Sequence, residues 1–298
     1  MPHVQIEPFL RWVGGKQQIL ERLLDFVPDD LGERIYREPF LGAGSLFFAV
    51  APRISYLSDA NAALTSCFRQ VRRYPGAVAR HLASHSESDS KQHFYTTRDA
   101  YNSSVSSAAQ AARFIYLNRT CFNGIYRVNR QGKFNVPYGY KTAPKIPSLE
   151  HLEQVSRHLM NAELTGQSYE VALRYARAGD FIYLDPPYPP LNDTAYFTHY
   201  TKSRFGFQDQ IQLSCLVQAL DKRGCLILMS NADTKHIRSL YRDLNLYTLP
   251  VTRFVTCKKE RHSVSELIIT NYDVRQDQLD PRCEPIILPQ LEKAGPLE

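Results

Sequence analysis

Asp185-Pro186-Pro187-Tyr188 is the segment of the chain best equipped for chemistry. An ionised Asp185 accepts hydrogen bonds and cannot donate them. Pro186 and Pro187 lack a backbone N–H and have restricted φ, so they leave carbonyl oxygens as acceptors in a rigid turn. Tyr188 adds a flat ring suited to stacking. A carboxylate, a carbonyl and a ring together describe a pocket for a planar group bearing an exocyclic amine. The tetrapeptide follows Phe181-Ile182-Tyr183-Leu184, an apolar run that predicts a strand from Asp180. Ligands collect at such strand ends in open α/β sheets. Taken alone, the same four residues would also make an ordinary turn.

A second candidate is Phe40-Leu41-Gly42-Ala43-Gly44-Ser45-Leu46-Phe47. It is superficially close to the dinucleotide fingerprint GxGxxG, but Phe47 stands where the third glycine belongs. In a dinucleotide site that glycine lets helix and strand pack closely while the helix N-terminus faces a pyrophosphate. A cofactor without phosphates needs only a tight turn and close backbone approach, which Gly42 and Gly44 supply. Asp59, at the tip of the next predicted strand, is placed to accept hydrogen bonds from a nucleoside. Phe47 disfavours a nicotinamide oxidoreductase, and a plain strand-to-helix turn is the bland alternative.

The elements that must position these residues follow from periodicity. Ile19, Leu20, Leu23, Leu24 and Val27 recur at helical spacing up to Pro28. Residues 34–40 read as a strand, the glycines as a turn, Ser45 as the cap of a short helix, and 54–58 as a second strand ending at Asp59. Strand, glycine turn, helix and strand open a doubly wound α/β unit. Residues 62–80 read as helical, 84–93 as polar, 103–112 as low in complexity but tolerant of helix, and 118–147 as loops with a hairpin. The α/β pattern resumes near 150. Ile211, Leu213, Leu216, Val217 and Leu220 predict a helix, 225–229 a buried strand, and 254–257 with 266–271 a closing pair. Beyond Asp273 a tail or loosely packed extension is expected.

Composition narrows the class. An apolar fraction of 43% against 22% charged residues gives a chain able to bury a core, and no run of apolar residues is long enough for a membrane span. The amino terminus lacks the pattern of a secretory signal. Six scattered cysteines without a CxxC pair read as reduced thiols, and His81, His85 and His93 as a solvated helix rather than a metal site. No metal and no membrane partner are therefore expected, and the location expected is cytoplasmic, in a bacterium or phage-encoded. The net charge of +6 is unevenly spread: residues 98–145 hold eight lysines and arginines, and Asp99 is their one acid. Tyr116, Phe122, Tyr126, Phe134, Tyr138 and Tyr140 are interleaved with them, which favours a phosphate-facing surface over a merely solvated loop.

Five segments in order resemble the Dam-type family (D12 class, alpha group) of DNA adenine-N6 methyltransferases. They are FLRWVGGK (9–16), EPFLGAGS (38–45), LSDAN (57–61), YLNRTCFNGIYRVN (116–129) with GKFNVPYG (132–139), and DPPY (185–188). The similarity spans about residues 8–272. It implies a Rossmann-like methyltransferase sheet, made by 1–61 and 146–273, with an inserted, mostly helical DNA-recognition domain at 62–145 that contains a hairpin loop, and a tail at 274–298.

The resemblance implies S-adenosylmethionine as cofactor, held by Trp12, Lys16, Phe40, Gly42, Gly44, Ser45, Asp59 and Asp185. Asp185, Pro186, Pro187 and Tyr188 would be the catalytic set, Asp185 and the Pro186 carbonyl holding the target amine while Tyr188 stacks on a flipped adenine. Double-stranded DNA is the implied partner. Arg127 aligns with a guanine-reading arginine, and Arg11 stands where a lysine commonly reads the outer guanine, a change that alters contact geometry. Arg98, Asn129 and Asn135 fall at phosphate-contact positions, and Arg119, Asn123, Ile125 and Pro137 belong to the same DNA-binding segment. GATC is the expected site and a monomer the expected state, with a cognate restriction endonuclease as an additional candidate partner. The alternatives are a DNA cytosine-N4 or RNA amino-group methyltransferase, a protein-amide methyltransferase, and a DNA-binding module without catalysis.

Overall fold

Apolar residues that follow one another without a polar break must be covered on both sides, and the middle of the central sheet is made of two such runs, Phe181-Ile182-Tyr183-Leu184 and Leu226-Ile227-Leu228-Met229. The computed structural model describes residues 6–141, 143–188, 205–254, 261–275 and 279–286, with the backbone alone for 251–254 and 261–264. Five strands are parallel: β1 (Ile35–Glu38), β2 (Ile54–Ser58), β3 (Ala162–Thr165), β4 (Phe181–Leu184) and β5 (Leu226–Ala232). Antiparallel to β5 runs β7 (Arg261–Thr270), which pairs in turn with β6 (Asn245–Phe254). The order across the sheet is β3-β2-β1-β4-β5-β7-β6-β8, where β8 is the short Glu284–Pro285. This is a mixed α/β, Rossmann-like arrangement with helices on both faces.

Alternation along each strand sorts side chains between two cores. Phe181 and Tyr183 of β4 join one buried cluster with Tyr36, Leu57 and Leu228. Ile182 and Leu184 join the other with Ile227, Met229 and Leu267. The first face is covered by α1 (Leu20–Leu24), α2 (Ser45–Val50) and α3 (Ala62–Arg73) through residues such as Leu23, Phe47 and Phe68. The second is covered chiefly by the helix Phe207–Lys222 through Leu213, Val217 and Leu220.

Between β2 and β3 the chain adds α4 (Pro75–Glu87), α5 (Lys91–Asn102), α6 (Ala108–Thr120) and α7 (Leu149–Leu159). Their core is continuous with the first face of the sheet, since Phe94, Tyr116 and Leu152 share its cluster. Two of the serines that made this region look featureless, Ser90 and Ser107, are helix caps, and Ser148 caps α7. Ser90 accepts from His93 N, Ser107 from Gln110 N and Ser148 from His151 N. Residues 118–120, expected in a loop, complete α6; the loop and hairpin follow, with bridges Cys121↔Tyr138 and Val128↔Phe134.

Three further expectations are corrected. Ser45 does not cap α2: Gly44, at φ 71°, takes the N-cap position and Ser45 is the first helical residue. Of the first closing strand expected at 254–257, Phe254 is the last residue of β6, which begins earlier, at Asn245, and the rest of the expected span lies outside the described residues. Pro250 disguised β6 in sequence. Among the described residues β8 pairs only with Tyr247 and Thr248, so Pro250 falls on the outer edge, where a missing N–H is tolerated. Finally, the expected tail contributes β8 and the buried Cys283 to the fold. Among the described residues no helix is long and apolar enough to cross a membrane.

Candidate active site

Strand order reverses between β1 and β4, because the chain leaves β1 towards β3 and leaves β4 towards β5. Such a reversal opens a crevice at the carboxyl ends of the two strands. A cavity of about 610 Å³ lies there. Asp185, Pro186, Pro187 and Tyr188 line it from the turn after β4, Phe40, Gly42 and Ser45 from the turn after β1, and Asp59 from the end of β2. Trp12 and Lys16 enter from the amino-terminal segment. Of the catalytic and cofactor candidates only Gly44 stands behind the wall, against Leu41 and Phe48.

At one end of the cavity the glycine turn is locked to Asp59. Gly42 N–H donates to one carboxylate oxygen at 3.0 Å and Asn61 N–H to the other at 2.8 Å. Burial nevertheless pushes this carboxyl up to about 6. Gly42 has φ +49°, and a Cβ there would stand 2.8 Å from Trp12 Cδ1, so the indole lies flush on the turn. Phe40 stacks on Tyr169 with centroids 5.3 Å apart. The Ser45 hydroxyl is buried with no hydrogen-bond partner among the described residues. Glu38, which the sequence reading passed over, also lines the cavity; it accepts from Tyr36 Oη at 2.8 Å, and burial pushes it up to about 8.

At the other end acceptors gather around one lysine. Lys16 Nζ lies 2.6 Å from Asp185 Oδ1 and 3.4 Å from Glu266 Oε1, and donates to the Gly14 carbonyl at 2.9 Å. It also sits 4.8 Å from the centre of the Tyr188 ring. Ser230 Oγ donates to Asp185 at 3.0 Å and lies 3.0 Å from Tyr183 Oη. Burial raises the Asp185 carboxyl, opposed by the Lys16 charge and hydrogen bond. Beneath the turn, Asn231 Nδ2 donates to Gln210 Oε1 at 3.1 Å, and Gln210 Nε2 to the Pro187 carbonyl at 3.0 Å. The Pro187 carbonyl thus fixes the turn from below. Glu266, Ser230 and Gln210 were missed as site residues. Their available signal was a polar side chain inside a run that packing buries.

Comparison with known proteins places the chain in a family. The D12 class N6 adenine-specific DNA methyltransferase family matches residues 12–255. The type II methyltransferase M1.LlaDCHI of Lactococcus lactis subsp. cremoris is 36% identical over 276 residues, 90% of this chain and 96% of that protein. Type II methyltransferase M.MjaIII of Methanocaldococcus jannaschii is 36% identical over 289 residues, 90% of this chain and all (100%) of its own. The DNA adenine methylase of Escherichia coli (strain K12) is 34% identical over 264 residues, 87% and 93% of the two chains. This chain belongs to the D12 class of N6 adenine-specific DNA methyltransferases.

The DNA-facing candidates of this methyltransferase centre on the loop after α6. Trp12 stacks on Tyr126 with centroids 5.7 Å apart, so the wall of the cavity continues into the loop that carries Arg127. Arg127 Nε donates to Asn135 Oδ1 at 2.9 Å across the hairpin. Asn129 Oδ1 accepts from Gln131 N and Lys133 N, both at 3.0 Å, and so shapes the hairpin tip. Asn129 and Asn135, expected at phosphates, therefore also hold the loop through their side-chain oxygens. Arg11 is exposed and lies against Gly124, whose added Cβ would be 2.8 Å from Arg11 Cδ. Asn123, at φ 53°, and Pro137 are exposed, Ile125 packs against the core, and Arg98 covers the Tyr95 ring at 4.6 Å.

Arg119 is placed differently from expectation. Its guanidinium donates to the carbonyls of Phe9, at 2.8 Å, and Pro8, at 3.2 Å, and burial lowers it to about 10. The helical turn of α6 points it inward, where it ties the amino-terminal segment to the insertion. Asn118 makes the companion link. It accepts from Arg11 N and donates to the Arg11 carbonyl, each at 2.8 Å, and to the Gly124 carbonyl at 3.1 Å. Replacing Asn118 with alanine strands buried backbone groups, and a loss of about 2–4 kcal/mol is expected. A urea titration checks it, together with weaker DNA binding as Arg11 and the loop come apart.

Proposed function

We propose that this methyltransferase moves the methyl group of S-adenosylmethionine directly to N6 of an adenine flipped out of double-stranded DNA, within GATC. One observation carries the reading: the Asp185–Tyr188 turn shares a single cavity with Gly42 and Asp59. The residues present fit the cofactor. Asp59 offers a carboxylate to the hydroxyls of a nucleoside, and the buried Ser45 hydroxyl and the Gly42 surface face the same space. Trp12 and Phe40 present aromatic surface to an adenine ring, and Asp185 and Glu266 place negative charge near a cation. When bound, S-adenosylmethionine supplies an electrophilic methyl on a sulfonium.

The protein's part is alignment. Asp185 and the Pro186 carbonyl accept hydrogen bonds from the adenine amino group, which returns its lone pair from the ring to nitrogen and aims it. Tyr188 stacks on the base, and that contact offsets the few kcal/mol lost on unstacking it from the duplex. Holding reactants in line contributes on the order of 7–11 kcal/mol in the best intramolecular cases. No thiol is used and no bond to the enzyme forms; N6 exchanges one of its two protons for the methyl as the methyl–sulfur bond gives way, and that proton would leave past the Asp185 carboxylate to solvent. The enzyme is proposed to act as a monomer. The type II methyltransferase names of two relatives support a cognate restriction endonuclease as its counterpart.

The loop sequence resembling the family's recognition segment supports GATC. Digestion of treated DNA with nucleases that differ in sensitivity to GATC methylation tests it. Protection confined to the sensitive nuclease is expected, and full cleavage by it would refute the site.

Asp59 gives a pH test of the cofactor end. Its carboxyl is raised from 3.8 to about 6, so folding takes up a proton in that window. Stability from this group is present at low pH and falls as pH rises through about 6. Donor binding runs the other way, because it uses the carboxylate. Affinity for S-adenosylmethionine should fall by up to about tenfold per pH unit below the raised value, and Asp59→Asn should bind weakly with a flat profile. Titration calorimetry between those limits reads both; a flat wild-type profile would remove Asp59 from the cofactor set.

A further inference from the structure

Glu266 has 2% of its surface exposed, on β7 opposite Ala232 of β5 and Leu249 of β6. A carboxylate is a costly occupant of such a position unless it is paired. The partners seen for it belong to the active site. Its Oε1 accepts the Tyr188 hydroxyl and lies 3.4 Å from Lys16 Nζ. The same ammonium is 2.6 Å from Asp185 and 4.8 Å from the Tyr188 ring centre. One cation is thus shared by two carboxylates, and the aromatic ring beside it is anchored by one of them.

We propose that Glu266 is a positioning residue for methyl transfer, holding the Tyr188 ring through its hydroxyl and receiving Lys16 when Asp185 turns to the target amine. The inference rests on assigning Asp185 and Tyr188 to the flipped base. As the amine bonds to Asp185, the ion pair there weakens, and a buried ammonium left without a carboxylate would be strongly disfavoured. Glu266 stands close enough for Lys16 to be passed across by a small movement of its side chain. Only hydrogen bonds are exchanged; no proton changes owner. The Tyr188 ring, pinned at its far end, keeps its plane whether or not a base is stacked on it. Both functions need the reach of the side chain and an acceptor oxygen, but only the lysine needs the charge, so glutamine serves the ring and fails the lysine.

The test uses the full chain, a duplex that the wild type methylates, and a second duplex with 2-aminopurine at the methylated position. Glu266→Gln should lower kcat about 30-fold with KM for DNA changed less than about threefold, the pattern of an interaction acting in the transition state. Tyr188→Phe should lower kcat about tenfold and alter the 2-aminopurine fluorescence of the bound duplex. Combined with Glu266→Ala, which removes the acceptor of the Tyr188 hydroxyl as well, Tyr188→Phe should fall short of the product of the separate effects, because the two then share one contact. Wild-type kcat in Glu266→Gln, multiplicative effects in the double variant, or a loss that merely follows a lowered Tm would each overturn the proposal. Should Glu266→Gln fail to fold, Tyr188→Phe alone decides: unchanged kcat and fluorescence refute the anchor. Asp185→Ala is the reference. Transfer by that variant defeats the catalytic assignment itself, whereas an inactive Asp185→Ala beside a fully active Glu266→Gln defeats only the role of Glu266.

Discussion

Asp185→Ala should bind duplex DNA and keep its fold while losing methyl transfer by about 1,000-fold or more, some 4 kcal/mol of transition-state stabilisation. The size follows from what the carboxylate does. It lies at the end of β4 in the shared cavity, where Lys16 and Ser230 hold it ready to be exchanged onto the incoming amine. A charged acceptor at the reacting nitrogen has no substitute among alanine's atoms. The fold survives because Lys16 retains Glu266, at 3.4 Å, and the Gly14 carbonyl, at 2.9 Å. Asp185→Asn keeps an acceptor oxygen without the charge and should fall between the two. Single-turnover kinetics on saturating DNA read the chemical step, and circular dichroism reads the fold. Turnover by Asp185→Ala near the wild-type rate would end the assignment.

The second large effect is expected at Arg127. The guanidinium is half-buried and oriented by Asn135, and Tyr126 beside it is stacked on Trp12 at the edge of the cavity. A guanine contact made from there is coupled to the site of chemistry through two adjacent rings. Arg127→Ala should cost roughly 1–3 kcal/mol of discrimination at one guanine, about fivefold to 160-fold, with a smaller loss of overall DNA affinity. Asn135→Ala should reproduce part of this by freeing the arginine. Competition between duplexes that differ at single positions gives the answer directly. An unaltered preference would remove Arg127 from base reading.

The residues legible in sequence were those whose chemistry sits at the end of a local element. Asp185 follows an apolar run, Asp59 ends a strand, and Gly42 lies in the turn between a strand and a helix; each position is written within a few neighbours. Glu266 was not legible in that way. The order β5-β7-β6 brings a late strand beside the cavity, and nothing local to Ser265-Glu266-Leu267 states that neighbourhood. Gln210 and Ser230 have the same character, being meaningful only once a helix and a strand meet beneath the turn. Arg119 shows a different limit of the sequence. Composition marked its region as basic and aromatic, but the helical phase of α6 decides which basic groups face outward, and this one is taken by the Phe9 and Pro8 carbonyls. The serines of 84–93 read only as polar and those of 103–112 as low complexity, because capping depends on where a helix begins, which periodicity fixes only to within a turn. Pro250 hid a strand for want of knowing it would lie at an edge.

Nucleoside mass spectrometry of duplex DNA incubated with S-adenosylmethionine and enzyme bears most directly on the claim that Asp185 and Tyr188 present an adenine amine for methylation. N6-methyladenine from the wild type and its absence with Asp185→Ala is the result expected. N4-methylcytosine as the product, or N6-methyladenine formed equally well without the Asp185 carboxylate, would contradict it.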